Sequence, residues 1–290
     1  TVNLDSVVYT GYEIEPEVIV KYVETNELIK NTDYTVKYEN NKDVGTAIIT
    51  VEGIGEYAGI HRFEFKITSA QLIIKEVRQS NPLTYDGNEK KISVTTATTT
   101  VGNAQVNFEY SKDENGTYEP DIPTFTDAGT YTVYYKASAA NHKDATGYFT
   151  VTIDRAKVDK SKFSYTTSEE YTGEKRDANV MFNGDSQKNQ VLNVYYKEKS
   201  GNAYADVETN PTNVGIYGVF VSFKGNSNYE EVNDLLIGDF EITAKSITEK
   251  GVEIEGIPEQ TYTGSNIEPG VKVKDNGKTL EAVDYTVEYE

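Results

Sequence analysis

Few residues of this chain have the types and spacing that catalysis needs. Its 290 residues include two histidines and no cysteine, which excludes a disulfide framework and any site built on a thiolate. His61 and His142 fall at different points of the repeat pattern described below, so we expect no shared metal site or catalytic triad. We predict that each is a surface residue of a strand or loop.

The carboxylates are numerous, but none is in a setting typical of catalysis. Glycosidases use a pair of acids, one of which has its pKa raised by an apolar environment, and none of the 47 acids here recurs in such an environment. No serine lies in a Gly-x-Ser-x-Gly sequence. We therefore predict that the chain is not an enzyme, with no catalytic, cofactor-binding or metal-binding residues and no cofactor.

Two oxygen-rich turns are the candidates for calcium, Asp113–Gly116 and Asp275–Gly277. Neither matches the Asp-x-Asp-x-Asp-Gly pattern of a calcium loop, and both suit hairpin turns. Glycan recognition would need exposed aromatic rings, for which the candidates are Tyr57, Tyr118, Tyr204 and Tyr229. Tyr57 and Tyr229 occupy similar places in their repeats, where His142 stands in another, and such recurrence favours packing against the scaffold.

The elements that position these residues are repeated. A Tyr-x-Gly phrase occurs four times, and a second phrase of the form Asp/Asn-x-Gly follows the first three copies. The Tyr-x-Gly copies are Tyr9–Gly11, Tyr85–Gly87, Tyr171–Gly173 and Tyr262–Gly264, and the later copies are Asp43–Gly45, Asp127–Gly129 and Asn213–Gly215. This spacing is typical of one small domain per period.

Apolar residues alternate with polar ones between these phrases, as in strands with one buried face. Examples are Val18, Val20 and Tyr22; Tyr34, Val36 and Tyr38; Tyr131, Val133 and Tyr135; and Tyr217, Val219 and Val221. No segment has helical periodicity, so the predicted fold class is all-β. We divide the chain into repeat 1 (1–68), repeat 2 (69–156), repeat 3 (157–245) and repeat 4 (246–290).

Repeat 4 copies the first half of repeat 1. Ile267-Glu268-Pro269 matches Ile14-Glu15-Pro16, and the segment 284–290 matches 33–39. Half a sandwich leaves its apolar strand faces exposed to water. We therefore expect that the natural polypeptide continues and completes the domain, and that this chain is part of something longer. The repeats join without Gly or Pro linkers, which predicts an extended, semi-rigid rod.

The phrase Asp127-Ala128-Gly129-Thr130-Tyr131 has the form of a tyrosine corner. In immunoglobulin-like sandwiches a tyrosine near the start of strand F lies two residues before the inter-sheet cysteine, and its hydroxyl bonds back to the backbone. Val133 takes the place of that cysteine, as Val219 does after Tyr217. Repeat 1 has Ala47 where the tyrosine should be, so its corner must be held in another way.

These phrases resemble tandem bacterial immunoglobulin-like repeats, and more narrowly the MBG-type and related repeats of surface proteins from Gram-positive and gut bacteria. The resemblance covers nearly the whole chain. It implies small immunoglobulin-like β-sandwiches in an elongated array, in an exported protein that is wall-attached or secreted, and it carries over no catalytic residue. A β-grasp variant is the alternative fold, which a helix packed on a sheet would identify.

The net charge limits which classes of molecule the chain can bind. The net charge of −19 argues against nucleic acid and anionic membranes, and no run of about 18 apolar residues exists to span a membrane. We expect a monomeric stalk or spacer that projects or links functional domains at the cell surface. The alternatives are an adhesin-type module that binds a host glycan or protein, and an accessory region of a larger extracellular enzyme.

Overall fold

The computed structural model describes residues 6–23, 26–184, 192–206, 210–248 and 250–290. The chain divides into two compact units, of which the first comprises residues 1–156 with Ser227–Tyr229 and the second comprises residues 157–226 with 230–290. Strands account for 48% of the described residues and helices for 2%. The helical residues lie in two 3-10 turns, Val101–Asn103 and Lys160–Lys162.

Repeat 1 forms a four-stranded sheet and a small hairpin. Its strands are β1 (Ser6–Val8), β2 (Lys21–Tyr22), β3 (Asn26–Glu27), β4 (Tyr34–Glu39), β5 (Gly45–Gly53) and β6 (Ile60–Thr68). The sheet order is β1-β6-β5-β4, in which β1 runs parallel to β6 and the other pairs are antiparallel. The alternation at Val18, Val20 and Tyr22 gives only the short strand β2, so most of that predicted strand is wrong.

Repeat 2 has the same central arrangement. Its strands are β7 (Ala70–Gln71), β8 (Ile73–Gln79), β9 (Val94–Thr99), β10 (Val106–Ser111), β11 (Gly129–Ala139), β12 (His142–Lys143) and β13 (Ala145–Ile153). One sheet has the order β10-β11-β13, and β8 pairs with β9 in another. A parallel bridge joins Thr84 to Asp154, as β1 joins β6 in repeat 1.

Repeat 3 lies in the second unit apart from Ser227–Tyr229. Its strands are β14 (Phe163–Ser164), β15 (Ser168–Glu170), β16 (Met181–Phe182), β17 (Leu192–Ser200), β18 (Ala203–Asp206), β19 (Gly215–Phe223) and β20 (Val232–Thr243). The main sheet has the order β15-β20-β19-β17-β18. As in repeat 1, a short early strand, β15, runs parallel to the last long strand, β20. The strands β14 and β16 form a separate pair.

Repeat 4 has three short strands, β21 (Val252–Ile254), β22 (Val273–Asp275) and β23 (Lys278–Thr279). Its tyrosines nevertheless repeat two bonds of repeat 1. Tyr285 donates to the Val271 carbonyl and Tyr289 to that of Pro269, as Tyr34 and Tyr38 donate to the carbonyls of Val18 and Pro16.

The predicted all-β fold is confirmed as tandem immunoglobulin-like sandwiches. Repeats 1 to 3 share a hairpin of two long strands, with a short parallel strand on one side and an antiparallel strand on the other, which is the strand arrangement around the F–G hairpin of such domains. Across the described ranges no α-helix packs on a sheet, so the β-grasp alternative does not apply.

Each of the first three repeats has its own apolar core. The strand that follows each glycine phrase has a fully buried residue at its centre, Ile49 in β5, Val133 in β11 and Val219 in β19. The two valines at the cysteine position are therefore in the cores, where aliphatic packing takes the place of a disulfide.

Candidate functional site

The glycine phrase of repeats 2 and 3 makes the tyrosine corner that the sequence predicts. The Tyr131 hydroxyl donates to the Asp127 carbonyl at 2.8 Å, and the Tyr217 hydroxyl to the Asn213 carbonyl at 2.9 Å. Burial raises the pKa of both tyrosines, helped by the carboxylates of Asp127 and Glu198 respectively. Each corner therefore fixes the carbonyl of the residue that begins the phrase.

Repeat 1 holds the same turn with Asn41. The Asn41 amide donates to the Ile14 carbonyl at 3.2 Å, and the backbone N–H of Ile14 donates to the Asn41 carbonyl at 2.8 Å. Asn41 is buried, and Ala47 at the tyrosine position is fully buried in the core. An asparagine upstream of the phrase therefore ties this turn to Ile14, a contact that the sequence pattern does not reveal.

The outer side of the same phrase carries a recurring contact that we call the asparagine clamp. At the junction of repeats 1 and 2, the Asn141 side chain accepts the Val44 N–H at 3.0 Å and donates to the Asp43 carboxylate at 2.8 Å. The Asn141 carbonyl accepts the Ala70 N–H at 3.0 Å. One asparagine therefore ties the turn of repeat 1 to the linker that starts repeat 2.

The clamp occurs a second time within the first unit, on residues of the same type. The Asn228 side chain accepts the Ala128 N–H at 2.9 Å and donates to the Asp127 carboxylate at 3.0 Å. The Asn228 carbonyl accepts the Ala156 N–H at 2.9 Å. All three hydrogen bonds of the first clamp are thus repeated atom for atom.

An aromatic ring follows each clamp asparagine and covers the Tyr-x-Gly tyrosine. His142 meets Tyr9 edge-on with ring centroids 5.8 Å apart, and Tyr229 meets Tyr85 in the same way at 5.3 Å. Tyr9 and Tyr85 are consequently only 8% and 9% exposed. The Tyr-x-Gly phrase is therefore the apolar half of the clamp, and the Asp-x-Gly phrase is its polar half.

The prediction that His142 is a surface residue is wrong. His142 is buried, and its Nε2 accepts the Val101 N–H at 2.8 Å while its Nδ1 lies 2.7 Å from the Ala140 carbonyl. An acceptor at Nε2 leaves the proton on Nδ1, so the ring is neutral and donates to Ala140. His142 is a packing and hydrogen-bonding residue of the junction.

The backbones of repeats 1 and 2 also approach each other closely beside the clamp. A Cβ on Gly11 would lie 2.8 Å from the Gly102 Cα, and one on Gly102 would lie 3.0 Å from the Tyr9 hydroxyl. Both glycines have positive φ, 85° and 68°, which favours glycine on its own. Only glycine fits at this contact.

The remaining candidates lie apart from one another. His61 is an exposed residue of β6 and packs edge-on against Phe63. In the Asp113–Gly116 turn the Gly116 N–H donates to the Asp113 carbonyl, and the Asp275 carboxylate is paired with Lys245 at 2.6 Å. The described parts of the chain contain no group of three His, Asp or Glu residues that could hold a metal ion.

The four candidate platform tyrosines are partly or fully covered. Tyr118 donates to the Glu114 carbonyl and lies under the Lys136 ammonium, and Tyr204 donates to Asp239. Tyr57 lies beside Tyr22, and Tyr229 is buried in the clamp. Exposed tyrosines outside this set include Tyr12, Tyr148 and Tyr262, at 78%, 69% and 86%, and Tyr148 lies on the outer face of repeat 2.

The comparisons with known proteins give distant likenesses. No protein-family model matches the sequence, and a search of curated proteins finds no relative. Immunoglobulin domains 1–5 of Sidekick-1 align with 95% of this chain and 66% of their own at 11% identity, with a TM-score of 0.28. Extracellular domains 3–5 of Drosophila OTK align with 70% and 72% at 12% identity, with a TM-score of 0.27.

A third solved structure is a SusE-like, surface-located polysaccharide-binding protein of Bacteroides thetaiotaomicron. It aligns with 77% of this chain and 56% of its own at 11% identity, with a TM-score of 0.22. Likenesses of this strength do not define a family. None of the described helices is long and apolar enough to cross a membrane.

Proposed function

We propose that this chain is a structural spacer of a cell-surface or secreted protein, in which ordered β-sandwich repeats project or link functional domains. The asparagine clamp is the observation that carries the proposal. Its side chain and aromatic ring, both from repeat 2, contact the turn and Tyr9 of repeat 1, and its backbone carbonyl binds the linker between the two repeats. A spacer needs such contacts because a flexible junction would not transmit direction.

The finer parts of the proposal rest on the sequence resemblance. They are a bacterial origin, MBG-type repeats, attachment to a cell wall or secretion, a monomeric state and the lack of an enzymatic activity. The net charge of −19 supports a well-solvated surface with little tendency to self-associate.

Small-angle scattering of the whole chain tests the spacer. A single globule of this length has a radius of gyration of about 19 Å, whereas a string of ordered repeats gives a much larger value with a maximum dimension above about 100 Å. A radius near the globular value at several protein concentrations would refute the spacer.

A binding module is the second candidate, and the outer face of repeat 2 favours it. Tyr148 and Tyr134 lie directly opposite each other on β13 and β11 with ring centroids 6.1 Å apart. The corresponding cross-strand pair of repeat 1 is Arg62 and Thr50, so the aromatic pair is not part of the shared scaffold. A glycan or a host protein could stack on the exposed Tyr148 ring.

Titration with a glycan array separates the two candidates. If the chain is a binding module, the Tyr148→Ala variant should no longer bind the glycans that the unmodified chain binds. The Tyr118→Ala variant should still bind them, because the Tyr118 ring is already covered by Lys136. If no glycan or matrix protein binds at high concentration, or if both variants bind equally, the tyrosine pair is not a binding site.

A further inference from the structure

We propose that repeat 3 carries a third receiving site for the asparagine clamp. Its occupant would be a loop with an Asn–aromatic dipeptide, from a β-sandwich that follows Lys245 in the same polypeptide. The site is formed by Tyr171, Asn213, Val214 and Lys245, all in the second unit, and it surrounds a cavity of about 430 Å³. These residues correspond one by one to the receiving residues of the two filled clamps.

The correspondence rests on backbone register as well as on sequence. The N–H groups of Tyr9, Tyr85 and Tyr171 donate to the carbonyls of Thr68, Asp154 and Thr243 at 2.8, 2.9 and 2.9 Å. Each of these carbonyl residues lies two positions before Ala70, Ala156 and Lys245 respectively. The tyrosine and the linker residue are therefore placed alike at all three positions.

The polar half of the site matches as well. Asn213 and Val214 precede Gly215, as Asp43 and Val44 precede Gly45, and the Tyr217 corner fixes the Asn213 carbonyl. Among the described residues, neither the Val214 N–H nor the Lys245 N–H finds an acceptor. These are the two donors that bind the side-chain oxygen and the carbonyl of Asn141 in the first clamp.

The apolar half is also open. Tyr171 is only partly buried, whereas its counterparts Tyr9 and Tyr85 are 8% and 9% exposed beneath their covering rings. Repeat 4 lines the far wall of the cavity with residues that include Val252, Leu280 and Val283, and Val283 is 89% exposed. An aromatic ring placed on Tyr171 would bury both walls.

The chemistry of the occupant follows from the two filled sites. An Asn side chain accepts one N–H and donates to the phrase residue, and the next residue is aromatic in both. In residues 246–290 the asparagines are followed by Ile267 and Gly277, so repeat 4 contains no such dipeptide. Residues 284–290 of repeat 4 match residues 33–39 of repeat 1. In repeat 1, the loop that corresponds to the clamp loops comes after this segment, at 53–59.

The loop should come from the repeat that follows Lys245. At the junction of repeats 1 and 2, Asn141 binds Ala70, which lies at the start of its own repeat. The clamp therefore closes within a repeat and onto its predecessor at the same time, which a loop from a second copy of the chain would not do. Asn213 in place of aspartate gives a neutral acceptor, so this third clamp should be the weakest.

Hydrogen exchange on the chain as it stands gives the first test. The Val44 and Ala128 amides should exchange at least tenfold more slowly than the Val214 amide after correction for intrinsic rates, because only the first two are bound by a clamp asparagine. Equal exchange at the three amides would overturn the assignment. So would protection of Val214 that rises with protein concentration, which would indicate a second copy.

The second test extends the chain. Residues 40–68 are fused after Glu290, with the loop Gly55-Glu56-Tyr57 changed to Ser-Asn-Tyr, and the matched control carries Ser-Ala-Ala at the same positions. The Asn–Tyr loop should slow exchange at Val214 and Lys245 at least tenfold relative to the control. Equal exchange in the two fusions would refute the docking site.

Asn213→Asp in the Asn–Tyr fusion tests whether the loop binds in the clamp geometry. It restores the carboxylate of Asp43 and Asp127, and a charged acceptor strengthens the bond from the asparagine amide. We expect exchange at Val214 to slow by a further factor of about three. If Asn213→Asp has no effect while the Asn–Tyr loop protects, the loop does not bind in the clamp geometry.

Discussion

Removing the Asn141 side chain should open the junction of repeats 1 and 2 without unfolding either repeat. The side chain makes one bond to the Val44 N–H and one to the Asp43 carboxylate. A neutral hydrogen bond contributes about 0.5–1.5 kcal/mol and one to a charged group about 1.5–3 kcal/mol. Both bonds are at the surface, so we take the lower ends and expect a loss of about 2 kcal/mol for Asn141→Gly.

The choice of glycine follows from the backbone. Asn141 has a φ of 62°, which glycine adopts freely and alanine only at a cost of about 1 kcal/mol. Asn141→Ala should therefore cost about 3 kcal/mol, adding this strain to the lost bonds. The difference between the two variants separates backbone strain from the clamp.

Exchange at the Val44 amide measures the opening directly, since Val44 is exposed and Asn141 is the acceptor of its N–H. A loss of about 2 kcal/mol speeds exchange by roughly thirtyfold. Asn31→Gly is the matched control, because Asn31 is an exposed asparagine with a φ of 66° outside the clamp. It should leave exchange at Val44 unchanged.

Two results would refute this reasoning. One is unchanged exchange at Val44 in Asn141→Gly, which would mean that the turn protects its own amide. The other is a global loss of stability in Asn141→Gly that equals the local loss at Val44, which would mean that the junction and the repeats unfold as one unit.

Three further predictions concern packing, burial and the corners. Gly11→Ala should destabilise by clearly more than Gly87→Ala in chemical denaturation, because both have φ near 85° but only the Gly11 Cβ would meet backbone, at 2.8 Å; equal losses would exclude a steric role. Burial raises the pKa of Tyr196 to about 12, so its contribution is present below its unfolded pKa near 10 and is lost as pH rises from about 10 to about 12. Tyr196→Phe should flatten the alkaline part of the stability curve and cost about 1–3 kcal/mol, because it removes the acceptor of the buried Ala178 N–H. Tyr217→Phe should cost about 1 kcal/mol in repeat 3 melting, and an unchanged midpoint would show that the Asn213 carbonyl is satisfied by water.

The sequence predicted the features that depend on short separations. The alternation at Tyr131, Val133 and Tyr135 gave a strand with its aliphatic residue fully buried, because a period of two fixes which side chains share a face. The tyrosine corners were predictable because the hydroxyl and its acceptor carbonyl are only four residues apart. In both cases one segment contains all the atoms that form the contact.

The clamp was not predicted because its partners are distant in sequence. Asn141 lies 97 residues from Val44, and Asn228 lies 100 residues from Ala128. Within its own loop each asparagine looks like an ordinary turn residue. The similar placing of His142 and Tyr229 was the available signal, and it correctly favoured packing. It did not show that the packing partner belongs to the preceding repeat.

Repeat 4 shows that local and distant contacts are specified separately. Tyr285 and Tyr289 bind the carbonyls of Val271 and Pro269 in the manner of repeat 1. Yet the segment 284–290 forms no strand in the described structure, while the matching β4 of repeat 1 pairs with β5. A side-chain bond within about 20 residues closes a short loop, but a strand needs a neighbour for its backbone groups. In repeat 4 the two tyrosine bonds are therefore made without strand pairing of the segment that carries the tyrosines.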